Sequence, residues 1–463
     1  MLTGVLSRAQ SKDPVKGVWS GTVNMFGSAT PVLINFDPLQ QAVGSRRATI
    51  DLPKMGLHSV QVDTLMQGPK DDSLRLVVST LPGSFVGRLS ADAQRLTGFL
   101  LLAGQRMPLQ LQPGKLSWST PLRPQALRLP LPYREASITF AGGSSGTQLA
   151  GTLALPKGRR SVPAVVLVSG SGPHNRHGEQ FGHQPFRVLA DNLARRGFAV
   201  LCYDERGVGA STGRFAPATT TDFAADVAAA VAALRANRRI DAQRIFLIGH
   251  SQGSLEVARV AAQDAGVAGI ALLSGLAEPL VEVYKARLRA QMAPHLNKSD
   301  TTGRADILKT QLVCEAVLTI IAASPNEAAA VAALQQPIPA QGITPEELAY
   351  FAPTYMQPTV QDILRQDPRA DLRKIRVPVL AVTGALDTDA PAATQLPALK
   401  AALPASSSTQ LTTVVVPEVT HFLQTIPAGT TLSPYDNPES ISPAALSAIG
   451  DWLTKQTKQP KSN

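Results

Sequence analysis

Two rhythms of apolar and polar positions divide the chain. From Gly17 to Leu111 apolar and polar residues alternate in short runs, broken by Gly, Pro and Asp: "GVWSGTV", "PVLINFD", "RRATIDL", "SVQVDTL", "SLRLVVS", "SFVGRLS" and "RLTGFLL". A period of two turns one face of a strand to a core and the other to solvent. Runs this closely spaced, with no helical pattern between them, predict a small antiparallel β-barrel or sandwich over residues 17–112. The proline-bearing stretch "PGKLSWSTPLRPQALRLPLPYRE" reads as a linker over 113–133.

From Tyr133 the pattern changes. After two alternating runs around "GGSSG", short continuous apolar runs are spaced by segments of helical period: "AVVLVSG", "FAVLCYD", "RIFLIG", "GIALLSG", "VPVLAVTG" and "TTVVVP". Continuous apolar strands alternating with helices predict a mostly parallel sheet with helices on both faces. The alternation stops between Gly275 and Lys374, where the pattern is helical. The expectation is an α/β core built from 134–275 and 375–460, with 276–374 inserted as a helical cap.

Composition changes this picture little. The 463 residues, 44% hydrophobic and 17% charged, suit a globular protein of two domains. No apolar run approaches the length of a membrane span. Cys202 falls in a predicted strand and Cys314 in a helical region, so both read as buried thiols and not as a disulfide framework. The formal charge of +10 is uneven, with 14 Lys and Arg against 7 Asp and Glu in residues 1–133. These cations are scattered and not interleaved with aromatics, so no nucleic-acid partner is expected. The start, "MLTGVLSRAQ", resembles the end of an export signal, and residues 1–16 are read as a signal remnant or a frayed terminus. The expected location is periplasmic or secreted.

The candidate chemistry starts at Ser251. The pattern Gly-x-Ser-x-Gly is not decisive by itself; two of its occurrences are Gly142–Gly146 and Gly249–Gly253. The first lies in a hairpin loop, which leaves Ser144 without a role. The second joins the apolar run "RIFLIG" to the helical "SLEVARVAAQDAG", a strand–turn–helix corner that projects a serine hydroxyl from the sheet. Such a serine needs a base and an orienting carboxylate, in chain order Ser, acid, His. Two histidines follow Ser251: His295 in the cap region and His421 just past the last strand. His421 has the position required of the base. "GALDTD" supplies Asp387 and Asp389, of which Asp387 has the better spacing. The oxyanion donors expected are the backbone amides of Gln252 and of Ser171, in "SGSGPHNRHGE". Glycine-rich loops after strands also bind phosphate, but no lysine-bearing phosphate loop accompanies this one.

At these motifs the chain resembles a family. "GSGP" with Arg176, "DERGVGAST", "GHSQG", "GALD" and "THFLQ" together are similar to the bacterial α/β-hydrolase esterases of the EstD type, from about Pro132 to the C-terminus. The N-terminal β-region resembles the extra domain of many of these proteins. The resemblance implies an α/β-hydrolase fold and a serine carboxylesterase acting on a small-molecule substrate, a short acyl ester, with no metal or organic cofactor. It departs at Asn175 and His177, where the family commonly carries acids. Asp204 and Arg206 of "DERG" are expected to build a structural turn. A peptidase or an acyltransferase uses the same machinery, and an inert binding protein is the reading from a different class.

Overall fold

The computed structural model of the chain describes residues 15–458, apart from 26–27, 38–47, 56, 63, 68–72, 79–82, 103–104, 118–122, 159–160, 217, 265, 357, 409 and 431. The expected signal remnant lies outside the described residues except for Val15 and Lys16, as does the middle of the expected linker. The chain divides into two compact units, Met1–Thr120 and Pro121–Asn463.

The first unit is a single antiparallel sheet. Its strands are β1 (Gly17–Met25), β2 (Ser28–Phe36), β3 (Ala48–Leu52), β4 (Leu57–Gln61), β5 (Thr64–Gln67), β6 (Ser73–Val78), β7 (Gly83–Leu89), β8 (Leu96–Leu102) and β9 (Gln105–Pro113). They lie in the order β4-β3-β2-β1-β9-β8-β7-β6-β5. The small antiparallel β-domain expected is present, as an open, curled half-barrel. The first and last strands pair, Trp19 opposite Pro113, while β4 and β5 remain the edges. One core gathers Trp19, Ile34 and Phe36 from one half of the sheet and Leu76, Phe85 and Leu109 from the other. A single face can bury both sets only if the sheet curls around them.

The second unit holds an eight-stranded sheet in the order β10-β11-β13-β12-β14-β15-β16-β17. Its strands are β10 (Tyr133–Ala141), β11 (Gln148–Pro156), β12 (Val162–Val168), β13 (Ala199–Tyr203), β14 (Ile240–His250), β15 (Gly269–Leu273), β16 (Val379–Gly384) and β17 (Leu411–Val416). The first two form an antiparallel hairpin, and β12 to β17 pair in parallel. Its helices are α1 (Pro185–Arg195), α2 (Thr220–Arg235), α3 (Gly253–Gln263), α4 (Leu280–Lys298), α5 (Thr301–Ala323), α6 (Glu327–Leu334), α7 (Pro345–Tyr355), α8 (Pro358–Leu364), α9 (Arg369–Leu372), α10 (Ala392–Ala402), α11 (Ala405–Ser408) and α12 (Pro443–Lys458). Side chains of α2, α3 and α10 pack on one face of the sheet and those of α1 and α12 on the other. Burial on both faces is why β13, β15 and β16 read as unbroken apolar runs.

Between β15 and β16 the helices α4 to α9 replace the strand–helix alternation. Val317, Ile321, Leu334 and Leu348 give this segment a small core of its own. The chain leaves β12 toward β13 on one side and reaches β14 on the other. That reversal of strand order opens a crevice at the carboxyl ends of these strands, where ligands of open α/β sheets bind.

Candidate active site

The corner at Ser251 is forced by close backbone approach. β14 ends at His250, α3 starts at Gly253, and Ser251 between them adopts a φ of +52°. A non-glycine residue pays strain in that region, and its surroundings must hold it there. The Ser251 amide donates to Leu273 O at 2.9 Å, and Ser251 O accepts from the Ser254 amide at 3.0 Å. Both flanking glycines are required by space. A Cβ on Gly249 would lie 2.2 Å from Gly253 O, and a Cβ on Gly253 would lie 2.3 Å from Ser169 O.

The structure brings Ser251, His421 and Asp387 together. Ser251 Oγ lies 3.0 Å from His421 Nε2, and His421 Nδ1 lies 3.0 Å from each carboxylate oxygen of Asp387. His421 sits five residues beyond β17 and Asp387 three beyond β16. All three residues are buried. Asp387 Oδ1 also accepts the amides of Asp389 at 2.9 Å and Ala390 at 2.7 Å. Burial pushes the Asp387 carboxyl up, but the hydrogen bonds from His421 and Ala390 outweigh it and hold the group below its ordinary value. An ionised Asp387 fixes the proton of His421 on Nδ1, leaving Nε2 as the acceptor for the serine proton.

The backbone of His421 is held as well. His421 O accepts from His250 Nε2 at 2.9 Å and from Ser274 Oγ at 3.1 Å. Burial, with help from the neighbouring His421, pushes the His250 ring down to about 4, so it serves as a neutral donor. The rejected candidates lie elsewhere. Asp389 faces Arg287 of α4 at 3.6 Å, His295 is an exposed residue of α4, and Ser144 Oγ contacts Arg206 and Asp222.

The amides of Gln252 and Ser171 donate no hydrogen bond to any described residue. Gln252 follows the serine directly, and a Cβ on Gly170, the residue before Ser171, would lie 3.2 Å from Ser251 Cβ; unengaged N–H groups at such positions are what a developing oxyanion needs. The loop carrying Ser171 is tied down by the turn after β13. Asp204 Oδ1 accepts from the amide of Arg176 at 2.7 Å and from its Nε at 3.0 Å. Glu205 Oε2 accepts the His174 amide at 2.7 Å. Asn175, one of the two departures from the family pattern, closes the loop on itself: its Oδ1 accepts the amides of His177 and Glu179. Arg206 turns away to a buried pair with Asp226 at 2.7 Å.

Residues 163–426 match the family described as the alpha/beta hydrolase fold. The chain belongs to the α/β-hydrolase family. It is 26% identical, over 263 residues, to the esterase EstD of Thermotoga maritima; the match covers 56% of this chain and 53% of EstD, so this α/β-hydrolase spans about half the length of that relative. Among solved structures it is similar to Est1E of Butyrivibrio proteoclasticus with ferulic acid bound, at 16% identity and a TM-score of 0.43, covering 70% of this chain and 100% of Est1E. It is also similar to the Pyrococcus furiosus esterase Pf2001, at 16% identity and a TM-score of 0.42, covering 70% and 93%.

Sequence reasoning did not single out His174, His250, Glu205 or Glu256. His250 and Glu205 stand inside quoted motifs, but nothing in their spacing marks what they touch. A cavity of about 50 Å³, room for a few waters, lies beside His250 and Phe422 and is walled by Phe181, Phe186 and Leu189. Among the described residues no cluster of three or more His, Cys, Asp or Glu is arranged to hold a metal ion. No described helix is long and apolar enough to cross a membrane.

Proposed function

We propose that the protein is a serine carboxylesterase that hydrolyses short acyl esters of small molecules through an acyl-enzyme. The observation that carries this reading is the contact chain Ser251 Oγ, His421 Nε2, His421 Nδ1 and Asp387. The similarity to an esterase of Thermotoga maritima supports it. Ser251 Oγ attacks the acyl carbon while His421 Nε2 takes its proton. The carbonyl oxygen, now an oxyanion, is received by the amides of Gln252 and Ser171. Collapse expels the alcohol, which leaves with the proton from His421, and the acyl group stays on Ser251. A water then gives its proton to His421, attacks the acyl carbon and releases the acid, and Ser251 regains its proton.

The test is hydrolysis of p-nitrophenyl esters of graded chain length, with labelling of Ser251 by a fluorophosphonate. Ser251→Ala and His421→Ala should each lose about a thousandfold or more in kcat, and the double variant little beyond either, because a serine without its base is no nucleophile. Retention of most activity in Ser251→Ala would overturn the reading.

A further inference from the structure

The mechanism leaves two buried glutamates unused. Among the described residues only two glutamates are buried, Glu205 at 9% exposure and Glu256 at 3%. They are tied to the two segments that carry the unengaged amides. Glu205 follows β13, the neighbour of β12. Its Oε2 accepts the His174 amide at 2.7 Å while its own amide donates to His174 O at 3.2 Å. The His174 ring in turn reaches Ser171 O through Nε2 at 3.0 Å. Glu256 stands one turn along α3 from Gln252, whose Nε2 donates to its Oε1 at 3.2 Å. Each acid therefore grips the segment that carries one donor amide.

Among the described residues neither acid has a salt-bridge partner. Arg206 is committed to Asp226, and Arg259 on α3 to Asp371 and Gln366. The second oxygen of each carboxyl accepts no hydrogen bond from a described residue. We propose, resting on the reading of Ser251 as nucleophile, that Glu205 and Glu256 are positioning residues of the oxyanion pocket, which hold the Ser171 loop and the Gln252 turn through these hydrogen bonds.

A carboxylate buried without an ion-pair partner is costly, and its pKa rises. Burial pushes Glu256 up to about 8 and Glu205 well above its ordinary value. The groups facing Glu256 are Gln252 and Arg259 on its own helix, Asp362 on α8, Asp226 on α2 and Tyr203 on β13; Glu205 is raised by burial first and then by Glu256 and Asp226. Of these only Gln252 and Arg259 favour its ionised form. As pH rises through about 8, Glu256 ionises and places a negative charge beneath the amide that must receive the oxyanion. The field then opposes the transition state, and kcat falls.

The experiment uses the full chain with p-nitrophenyl acetate, and active sites counted by fluorophosphonate titration. Glu205→Ala should lower kcat per site about tenfold to a hundredfold, short of the 10²–10³ for deleting a donor outright, with KM within about twofold. Glu205→Gln keeps the acceptor and should recover most of that loss. The wild type should lose kcat above pH about 8, and Glu256→Gln should not. Unchanged kcat per site in Glu205→Ala, or an alkaline fall that survives in Glu256→Gln, overturns the proposal. If Glu205→Ala fails to fold, the pH profile of Glu256→Gln decides alone. Ser251→Ala is run alongside: its inactivity beside indifferent glutamate variants sinks this inference only, whereas its activity sinks the reading beneath it.

Discussion

Removing Arg206 tests whether "DERG" builds the scaffold or joins the chemistry. The guanidinium is 6% exposed and Asp226 2%. Arg206 Nε and Nη2 donate to the two Asp226 oxygens at 2.7 and 2.9 Å, Nη2 also to Asp222 O at 2.9 Å, and Nη1 to Ser144 Oγ at 3.2 Å. Asp226 also accepts the Gly143 amide at 2.8 Å, so the pair ties the β10–β11 loop to α2. Arg206→Met keeps the length of the stem but leaves Asp226 a buried charge with one neutral donor. Breaking a buried pair in this way costs about 3–5 kcal/mol. At about 2.1 cal/mol/K per residue, the unfolding entropy of the 343-residue second unit is about 0.7 kcal/mol/K. Tm should therefore drop by about 4–7 °C. Arg206→Met with Asp226→Leu removes both charges and should recover most of the loss, since the apolar pair owes no desolvation. Thermal melting supplies Tm, and ester hydrolysis per titrated site at 25 °C should stay within about threefold of wild type in both variants. A kcat reduced more than tenfold at unchanged Tm would place Arg206 in the chemistry and refute the structural assignment.

Asp387→Asn should lower kcat by about 10⁴ by favouring the wrong imidazole tautomer, whereas Asp389→Asn, which only loosens the contact to Arg287, should change it less than about threefold; steady-state hydrolysis by both variants decides, and the reverse order would move the acid to Asp389. Burial raises the Cys202 thiol to about 12 and the Cys314 thiol to about 11. At pH 8 at most about one thiol in a thousand is then the reactive thiolate, so Ellman's reagent should find no free thiol in the native protein and two after denaturation. A native thiol reacting at the rate of free cysteine would contradict the burial of that residue.

What the sequence carried of this protein follows from which features leave a local mark. The inner strands of the second unit are buried on both faces and so appear as unbroken apolar runs. The hairpin of β10 and β11 is marked by two alternating runs around Gly142 and Gly143. In the first unit alternation assigns each strand its buried face, yet it is silent about partners. The pairing of Trp19 with Pro113 joins positions at opposite ends of that unit, and it decides between a closed barrel, two stacked sheets and one curled sheet. Ser251 was legible because its constraint is steric and local: the missing Cβ atoms at Gly249 and Gly253 are written into the chain.

The acid was harder to read, since Asp387 and Asp389 occupy one loop. What separates them is Arg287, which holds both the carbonyl and the carboxylate of Asp389 from a helix 102 positions earlier. Glu205 lies at the far limit of legibility. Its neighbours Asp204 and Arg206 each find a partner of opposite charge, and the motif as a whole reads as a salt-bridged turn. A motif records which groups are present. It does not record that one buried acid among them has no ion-pair partner among the described residues, and burial without such a partner raises a carboxyl's pKa.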